Sequence, residues 1–209
     1  TLSAAKDFQL DVSDFCQNLN HTIDLLIICN PNNPTSSAIS VSDLKTIVQT
    51  CQKLDIFVMI DETYIEFASS IPALSAVCLV PDYDNLMVLR GVSKFFAAPG
   101  LRLGYGMTSN EDFRNILKEY QNPWSLNIVG AFAGELFLQD TDYIQKTRQL
   151  IETERTRIYE TLQTIPELKA FKPSANFVLV QILNEGVTSF DVFDNLIRQK
   201  LMIRDCSSF

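Results

Sequence analysis

The segment "GVSKFFAAPGLRLGYG", residues 91–106, sets Lys94 beside Phe95, Phe96, Ala97, Ala98 and Pro99, with Arg102 eight residues further on. Four of its sixteen residues are glycine, more than half of the chain's seven. A primary amine in apolar surroundings can condense with an aldehyde, and a guanidinium matches the geometry of a phosphate. Upstream, Asn33 lies in "NPNNPT", and Asp61 and Tyr64 lie in "DETY". A carboxylate can keep a ring nitrogen protonated, while an amide and a phenol can hydrogen-bond a ring oxygen. Each element alone has an ordinary explanation. A lysine beside Ser93 is usually a surface lysine, "NPNNPT" is a turn, and "DE" after a strand is often a helix cap. Their order along the chain is what makes the set informative.

The bulk composition narrows the classes. The chain has 209 residues, of which 46% are hydrophobic and 20% charged, as in an ordinary globular protein. A formal net charge of −8 argues against nucleic acid or an anionic membrane as the main partner, since both require a dense basic face. No apolar run approaches the ~20 residues that span a bilayer, and no signal-like segment is visible after Thr1. Five cysteines (Cys16, Cys29, Cys51, Cys78, Cys206) contain no C-x-x-C pair and read as reduced thiols of a cytoplasmic protein. The single histidine, His21, excludes a histidine-rich metal site and reads as a loop residue before a strand.

The elements that must position these residues follow from hydrophobic periodicity. "DLLIICN" (24–30) and "IFVMID" (56–61) read as strands buried on both faces, "LMVLRG" (86–91) as a third and "RLGYGMT" (102–108) as a fourth. Between the first two, Leu44, Ile47, Val48, Cys51 and Leu54 recur at helical spacing over 41–54, with Ser42 or Asp43 as the cap. Strand, helix and strand at these intervals predict β-α-β units and a mainly parallel sheet with flanking helices. Helices are expected over "DFRNILKEY" and "WSLNIVGAFAGELFLQD". Ile144, Ile151, Ile158 and Ile165 stand seven apart and mark a long amphipathic helix. A sheet-plus-helix pattern then begins, with strands expected in "KPSANFVLVQI" and "LMIRDC" around the helix "SFDVFDNLIRQK".

Asn33, Asp61, Lys94 and Arg102 thus fall at the ends of successive strands, where open α/β sheets bind ligands. An amine, a carboxylate, two neutral hydrogen-bonding groups and a guanidinium together fit pyridoxal 5'-phosphate.

The motifs "NPNNPT", "DETYIEF", "SKFFAAPGLRLGYG" and "RDCSSF" resemble the fold type I pyridoxal-phosphate enzymes of the class I/II aminotransferase superfamily. Within it the chain resembles histidinol-phosphate aminotransferases and, more closely, the L-threonine-O-3-phosphate decarboxylases of cobalamin biosynthesis. The likeness covers residues 20 to 209. It implies residues 1–125 as part of the large cofactor-binding α/β domain, and 126–209 as the linking long helix with part of a smaller α+β domain. It implies Lys94 as the catalytic lysine bonded to the cofactor, Asp61 at the pyridine nitrogen, and Asn33 and Tyr64 at the ring oxygen. Ser93 and Arg102 would hold the cofactor phosphate, and Arg204, with Asn33, the substrate.

Two departures from the family pattern stand out: Ser36 where glycine usually follows "NPT", and Gly91 where serine or threonine commonly precedes the lysine by three residues. The resemblance further places a glycine-containing phosphate loop before residue 1 and a second substrate arginine after Phe209, so the chain is expected to be a fragment. It also implies a homodimer and a small amino-acid or amino-phosphate substrate. The expected function is action at Cα of a phosphorylated amino acid or amine in the manner of the decarboxylase. The alternatives are a histidinol-phosphate-type transaminase and a non-catalytic or inactive cofactor-binding module.

Overall fold

The computed structural model describes residues 2–208. After a short helix α1 (Val12–Gln17), strand β1 (Leu25–Cys29) leads through α2 (Val41–Lys53) to β2 (Phe57–Asp61). A short helix α3 (Ile71–Leu74) and a 3-10 turn (Ala76–Asp82) then precede β3 (Leu86–Gly91) and β4 (Gly104–Met107). The four strands form one sheet in the order β1-β2-β3-β4. The first two pairings are parallel and the third is antiparallel, with Gly91 opposite Gly104. The mixed α/β architecture agrees with the expectation. The antiparallel fourth strand brings the segment before β4 back to the edge where β3 ends.

Helix α2 starts where its side chains can satisfy its first turn. Ser40, not Ser42 or Asp43, is the cap, accepting the Asp43 N–H at 3.1 Å. Its apolar stripe, Leu44, Ile47, Val48 and Cys51, is fully buried against Val58, Ile60, Leu86 and Val88. The expectation of strands buried on both faces is corrected here. Along β1 the burial alternates, and Ile27 is 59% exposed while Ile28 is 9% exposed. One sheet face carries the core beneath α2; the other, bearing Leu25, Ile27, Cys29 and Asp61, is open among the described residues. His21 lies in an exposed turn before β1, as its sequence context implied.

Beyond the sheet come α4 (Glu111–Tyr120), α5 (Ile128–Gln139) and α6 (Thr141–Gln163). The helix expected from Trp124 begins only at Ile128, because Asn127 caps it by accepting the Gly130 N–H at 2.6 Å. Along α6 the sevenfold isoleucine stripe is incomplete as an inward face. Ile158 is 40% exposed and Ile165 lies past the helix end, whereas Arg155 on the same stripe is buried.

The final segment differs most from expectation. Strand β5 (Leu168–Ala170) was not anticipated, and it pairs antiparallel with β6 (Val180–Ile182), all that is regular within 172–182. Residues 173–179 form a loop because Ser36 and Arg155, not a neighbouring strand, take the backbone groups of Ser174 and Ala175. Helix α7 (Ser189–Arg198) carries a capping box between Thr188 and Asp191. The strand expected at 201–206 is absent: no ladder partner lies beside it among the described residues.

Candidate active site

The C-terminal edge of the sheet gathers most of the predicted residues. Parallel pairing sets Cys29 level with Asp61, and Asp61 level with Leu89, so the chain leaves β1, β2 and β3 at one edge. The Asn33 loop leaves β1. It is closed by Asn32 N–H donating to the Ser37 carbonyl at 2.8 Å and Ser36 N–H to the Asn32 carbonyl at 2.7 Å. The base of this loop is anchored by Asn30, fully buried, whose amide donates to the Ile39 and Leu74 carbonyls and accepts the Ile39 N–H.

Asn33 and Tyr64 meet directly, Asn33 Nδ2 donating to the Tyr64 hydroxyl at 3.4 Å. Lys94 Nζ stands 5.9 Å from the centre of the Tyr64 ring, at a distance where a cation is attracted to the ring face. Lys94 itself is exposed, but its loop is not loose. Phe95, next to it, is buried and packs on Phe67, Phe96 and Tyr143, and the Tyr143 hydroxyl donates to the Phe95 carbonyl at 2.9 Å.

Asp61 projects onto the open sheet face. Its Oδ1 accepts the Thr63 N–H at 2.9 Å and the Thr63 hydroxyl at 2.5 Å, and both bonds recorded among the described residues use that oxygen. Oδ2 has no hydrogen bond among the described residues. The Cys29 thiol alongside is pushed up in pKa by partial burial and by the Asp61 charge.

Ser93 and Arg102 emerge together, two residues beyond Gly91 and two before its partner Gly104. Arg102 is exposed in a left-handed conformation (φ 51°), and its guanidinium donates to the Pro99 carbonyl at 3.1 Å. Helix α5 fixes this approach: Asn127 Nδ2 donates to the Leu101 carbonyl at 3.1 Å. Leu103 fills the space where a Cβ on Gly134 would stand, 2.5 Å from it. A hydroxyl-bearing residue at 91 would have its Cβ 4.0 Å from the Ser93 Oγ, so serine at 93 lies beside the place left by Gly91.

A cleft of about 590 Å³ opens from Asn33 and Tyr64 toward the last segment. Its walls are mainly apolar, including Phe177, Val180 and Ile203, and Arg204 stands in the lining. Phe177 packs edge-on against Tyr64 with centroids 5.1 Å apart.

The geometry therefore unites Asn33, Tyr64 and Lys94, and sets Arg204 on the same cleft as the first two. Among the described residues no hydrogen bond or ion pair joins Asp61 or Arg102 to Lys94.

Several residues that organise the site were not singled out from sequence. Glu62, with a fully buried side chain, accepts from Arg90 Nη2 at 2.8 Å and Nε at 3.0 Å, from Ser75 Oγ at 2.9 Å and from the Ala76 N–H at 2.6 Å. Arg90 continues to Glu66 at 3.1 Å, and Glu66 pairs with Arg148 of α6. Glu62 follows Asp61 directly and Glu66 lies two residues past Tyr64, so this charge network ties the segment after β2 to the long helix. The available signal was position: Arg148 and Arg155 occupy the stripe of Ile144, Ile151 and Ile158, where a solvated cation is out of place.

The residue types present fit a pyridoxal phosphate: an amine beside an aromatic ring, an amide–phenol pair, a carboxylate with one oxygen unbonded among the described residues and an arginine at the sheet edge.

Comparison with known proteins identifies the family. The family model "Aminotransferase class I and II" matches residues 1–209. The threonine-phosphate decarboxylase of Salmonella typhimurium is 34% identical over 195 residues, covering 91% of the chain and 51% of that protein. The histidinol-phosphate aminotransferase of Methanopyrus kandleri is 32% identical over 204 residues, covering 98% and 50%. The crystal structure of the histidinol-phosphate aminotransferase from Clostridium acetobutylicum superposes with a TM-score of 0.91 at 33% identity, covering 100% of this chain and 61% of that one. The chain spans about half the length of the curated relatives it matches. The chain belongs to the class I and II aminotransferase family.

Proposed function

We propose that this chain carries the cofactor face of a pyridoxal-phosphate enzyme acting at Cα of a phosphorylated amino acid or amine, with L-threonine O-3-phosphate decarboxylation as the leading reaction. The observation that carries the reading is the convergence of Lys94, Tyr64 and Asn33 at the sheet edge that also bears Asp61. Lys94 would bind the cofactor covalently, Asp61 would face its ring nitrogen, and Asn33 with Tyr64 would bond its ring oxygen. Ser93 and Arg102 would hold its phosphate. When bound, the cofactor supplies an electron sink that stabilises negative charge at the substrate Cα.

The chain's own residues do the rest. A carboxylate at Asp61 favours a protonated ring nitrogen by direct charge attraction. Lys94, the amine of this site, would be the group to take or return a proton at Cα. Arg204, on the lining of the cleft that Asn33 and Tyr64 share, is suited to a substrate anion. Which bond at Cα breaks depends on how that anion is held.

Histidinol-phosphate-type transamination is the second reading, favoured by the superposition on the Clostridium enzyme. Both named reactions use a phosphate-bearing amine. A non-catalytic cofactor-binding module is the third. The proposal includes the division at residue 125, with residues 1–125 belonging to the large domain and the remainder to the long helix and small domain. It also includes a homodimer, for which exposed Trp124, Ile128 and Phe132 offer apolar surface. A cytoplasmic setting is supported by five free thiols. No helix of the described residues is long and apolar enough to cross a membrane.

The test uses the full-length protein with added pyridoxal phosphate. A visible absorbance band should form and should disappear in Lys94→Ala, with turnover falling about 10²–10⁴-fold or more. Carbon dioxide release from L-threonine O-3-phosphate without any keto acid supports the first reading. Turnover of histidinol phosphate only with 2-oxoglutarate supports the second. Absorbance without turnover leaves the third, and a band that survives in Lys94→Ala removes the first two.

A further inference from the structure

Ser36 occupies a position where the neighbouring chemistry asks for more than a turn residue. It is fully buried and left-handed (φ 58°), a conformation in which a side chain is strained and glycine is not. Its side chain nevertheless has a defined use. The hydroxyl oxygen accepts the Ala175 N–H at 2.9 Å and the Ser174 N–H at 3.1 Å, while its carbonyl accepts the Ser174 N–H at 2.8 Å. From the other side Arg155, also buried, donates to the Ser174 carbonyl at 3.1 Å, the Ala175 carbonyl at 3.3 Å, the Phe67 carbonyl at 2.7 Å and Ser69 Oγ at 2.6 Å.

Three segments separated by up to 139 positions in sequence therefore meet at one point. Each carries part of the cleft. Ser36 lies in the closed turn that presents Asn33, and Phe67 ends the 3-10 turn that follows Tyr64. Two residues past Ala175, Phe177 packs on Tyr64, and Val178 to Val180 line the same cleft as Arg204. The segment 173–177 has no strand partner to hold it.

We infer that Ser36 and Arg155 form a clamp that sets the spacing between the Asn33–Tyr64 side of the cleft and its Phe177 wall, making Ser36 a positioning residue for the substrate rather than for the cofactor. The inference rests on the proposed function for its substrate, but the clamp itself is independent of any ligand. A hydroxyl in place of hydrogen at residue 36 trades backbone ease for a cross-segment tie. Loss of the hydroxyl strands the Ala175 N–H in a buried site, whereas the Ser174 N–H keeps the Ser36 carbonyl.

The experiment compares Ser36→Gly and Ser36→Ala in the full-length protein. Hydrogen exchange at the Ala175 amide should accelerate at least tenfold in both variants. In the loaded enzyme, the KM for whichever of L-threonine O-3-phosphate and histidinol phosphate the wild type turns over should rise about tenfold, the equivalent of one hydrogen bond. The cofactor absorbance and kcat should stay within about threefold. Ser36→Gly should show the KM rise with a smaller fall in Tm than Ser36→Ala, since glycine is unstrained at positive φ. Unchanged Ala175 exchange overturns the clamp, and exchange that accelerates while KM holds overturns the positioning role. A KM rise that appears only where Tm falls further, in Ser36→Ala alone, assigns the effect to stability and overturns it too. If the wild type forms no absorbance band, the proposed function fails, while the Ala175 amide still decides the clamp.

Discussion

Asp61 illustrates how one side chain is prepared by its immediate neighbours. Thr63 occupies Oδ1 through two hydrogen bonds, and Cys29 lies beside it across the parallel ladder. Because burial and the carboxylate both raise the Cys29 thiol's pKa, replacing Asp61 with asparagine removes one of the two causes. Removing a negative charge favours the thiolate, so the Asp61→Asn thiol should titrate at lower pH. Cofactor-free Asp61→Asn should therefore alkylate faster at Cys29 with iodoacetamide near pH 8 than the wild type. Equal rates would show that the carboxylate does not face the thiol. Under the proposed function, the same change in the loaded enzyme should lower kcat by about 10²-fold or more, because Asp61 would be the anionic partner of the ring nitrogen.

Helix α6 is the element that converts local turns into a site. Through Arg148 it reaches Glu66, through Tyr143 the Phe95 carbonyl, and through Arg155 the segments on either side of the cleft. Its contribution depends on charges that are paired and hydrogen-bonded, since a buried ion left alone is costly. Glu62 is the clearest case: every acceptor position it uses faces Arg90, Ser75 or the Ala76 N–H. Glu62→Ala leaves the Arg90 guanidinium without its main partner and should destabilise by about 3–5 kcal/mol. Urea unfolding of wild type and variant checks this, and a loss below about 1 kcal/mol would mean that water already reaches the network.

At the scale of the whole molecule, the core beneath the sheet is built from α2 and the inward residues of β2 and β3. Cys51 in that core is fully buried, and burial, with Cys16 adding to it, raises its pKa from 9.0 to about 11. A thiol whose pKa is higher folded than unfolded binds its proton more tightly in the native state. That stability is complete below pH 9 and declines as pH rises toward 11, by about 2–3 kcal/mol in total. Lysines and tyrosines titrate in the same range, so the measurement is a difference. Thermal unfolding of Cys51→Ala should lose less stability between pH 9 and pH 11 than the wild type, even though the variant starts lower. Parallel curves would show that the thiol is not dry.

The sequence by itself determined the α/β class and nominated the residues proposed to hold the cofactor. Asn33, Asp61, Tyr64 and Lys94 sit at strand ends because alternation between buried strands and the α2 stripe is a local property, readable from spacing alone. The long helix was legible for the same reason. What only the tertiary structure decided is how distant backbone groups are satisfied. The loop at 173–179 looks like a strand by composition, yet Ser36 and Arg155 supply its partners from elsewhere in the chain. The segment 201–206 has the apolar residues of a strand but no ladder beside it among the described residues, and pairing belongs to two segments at once. The exposed face of β1 could not be foreseen either, since burial on both sides depends on what packs above the sheet. Periodicity reports which face a residue takes; it carries no information about which remote group arrives to meet it.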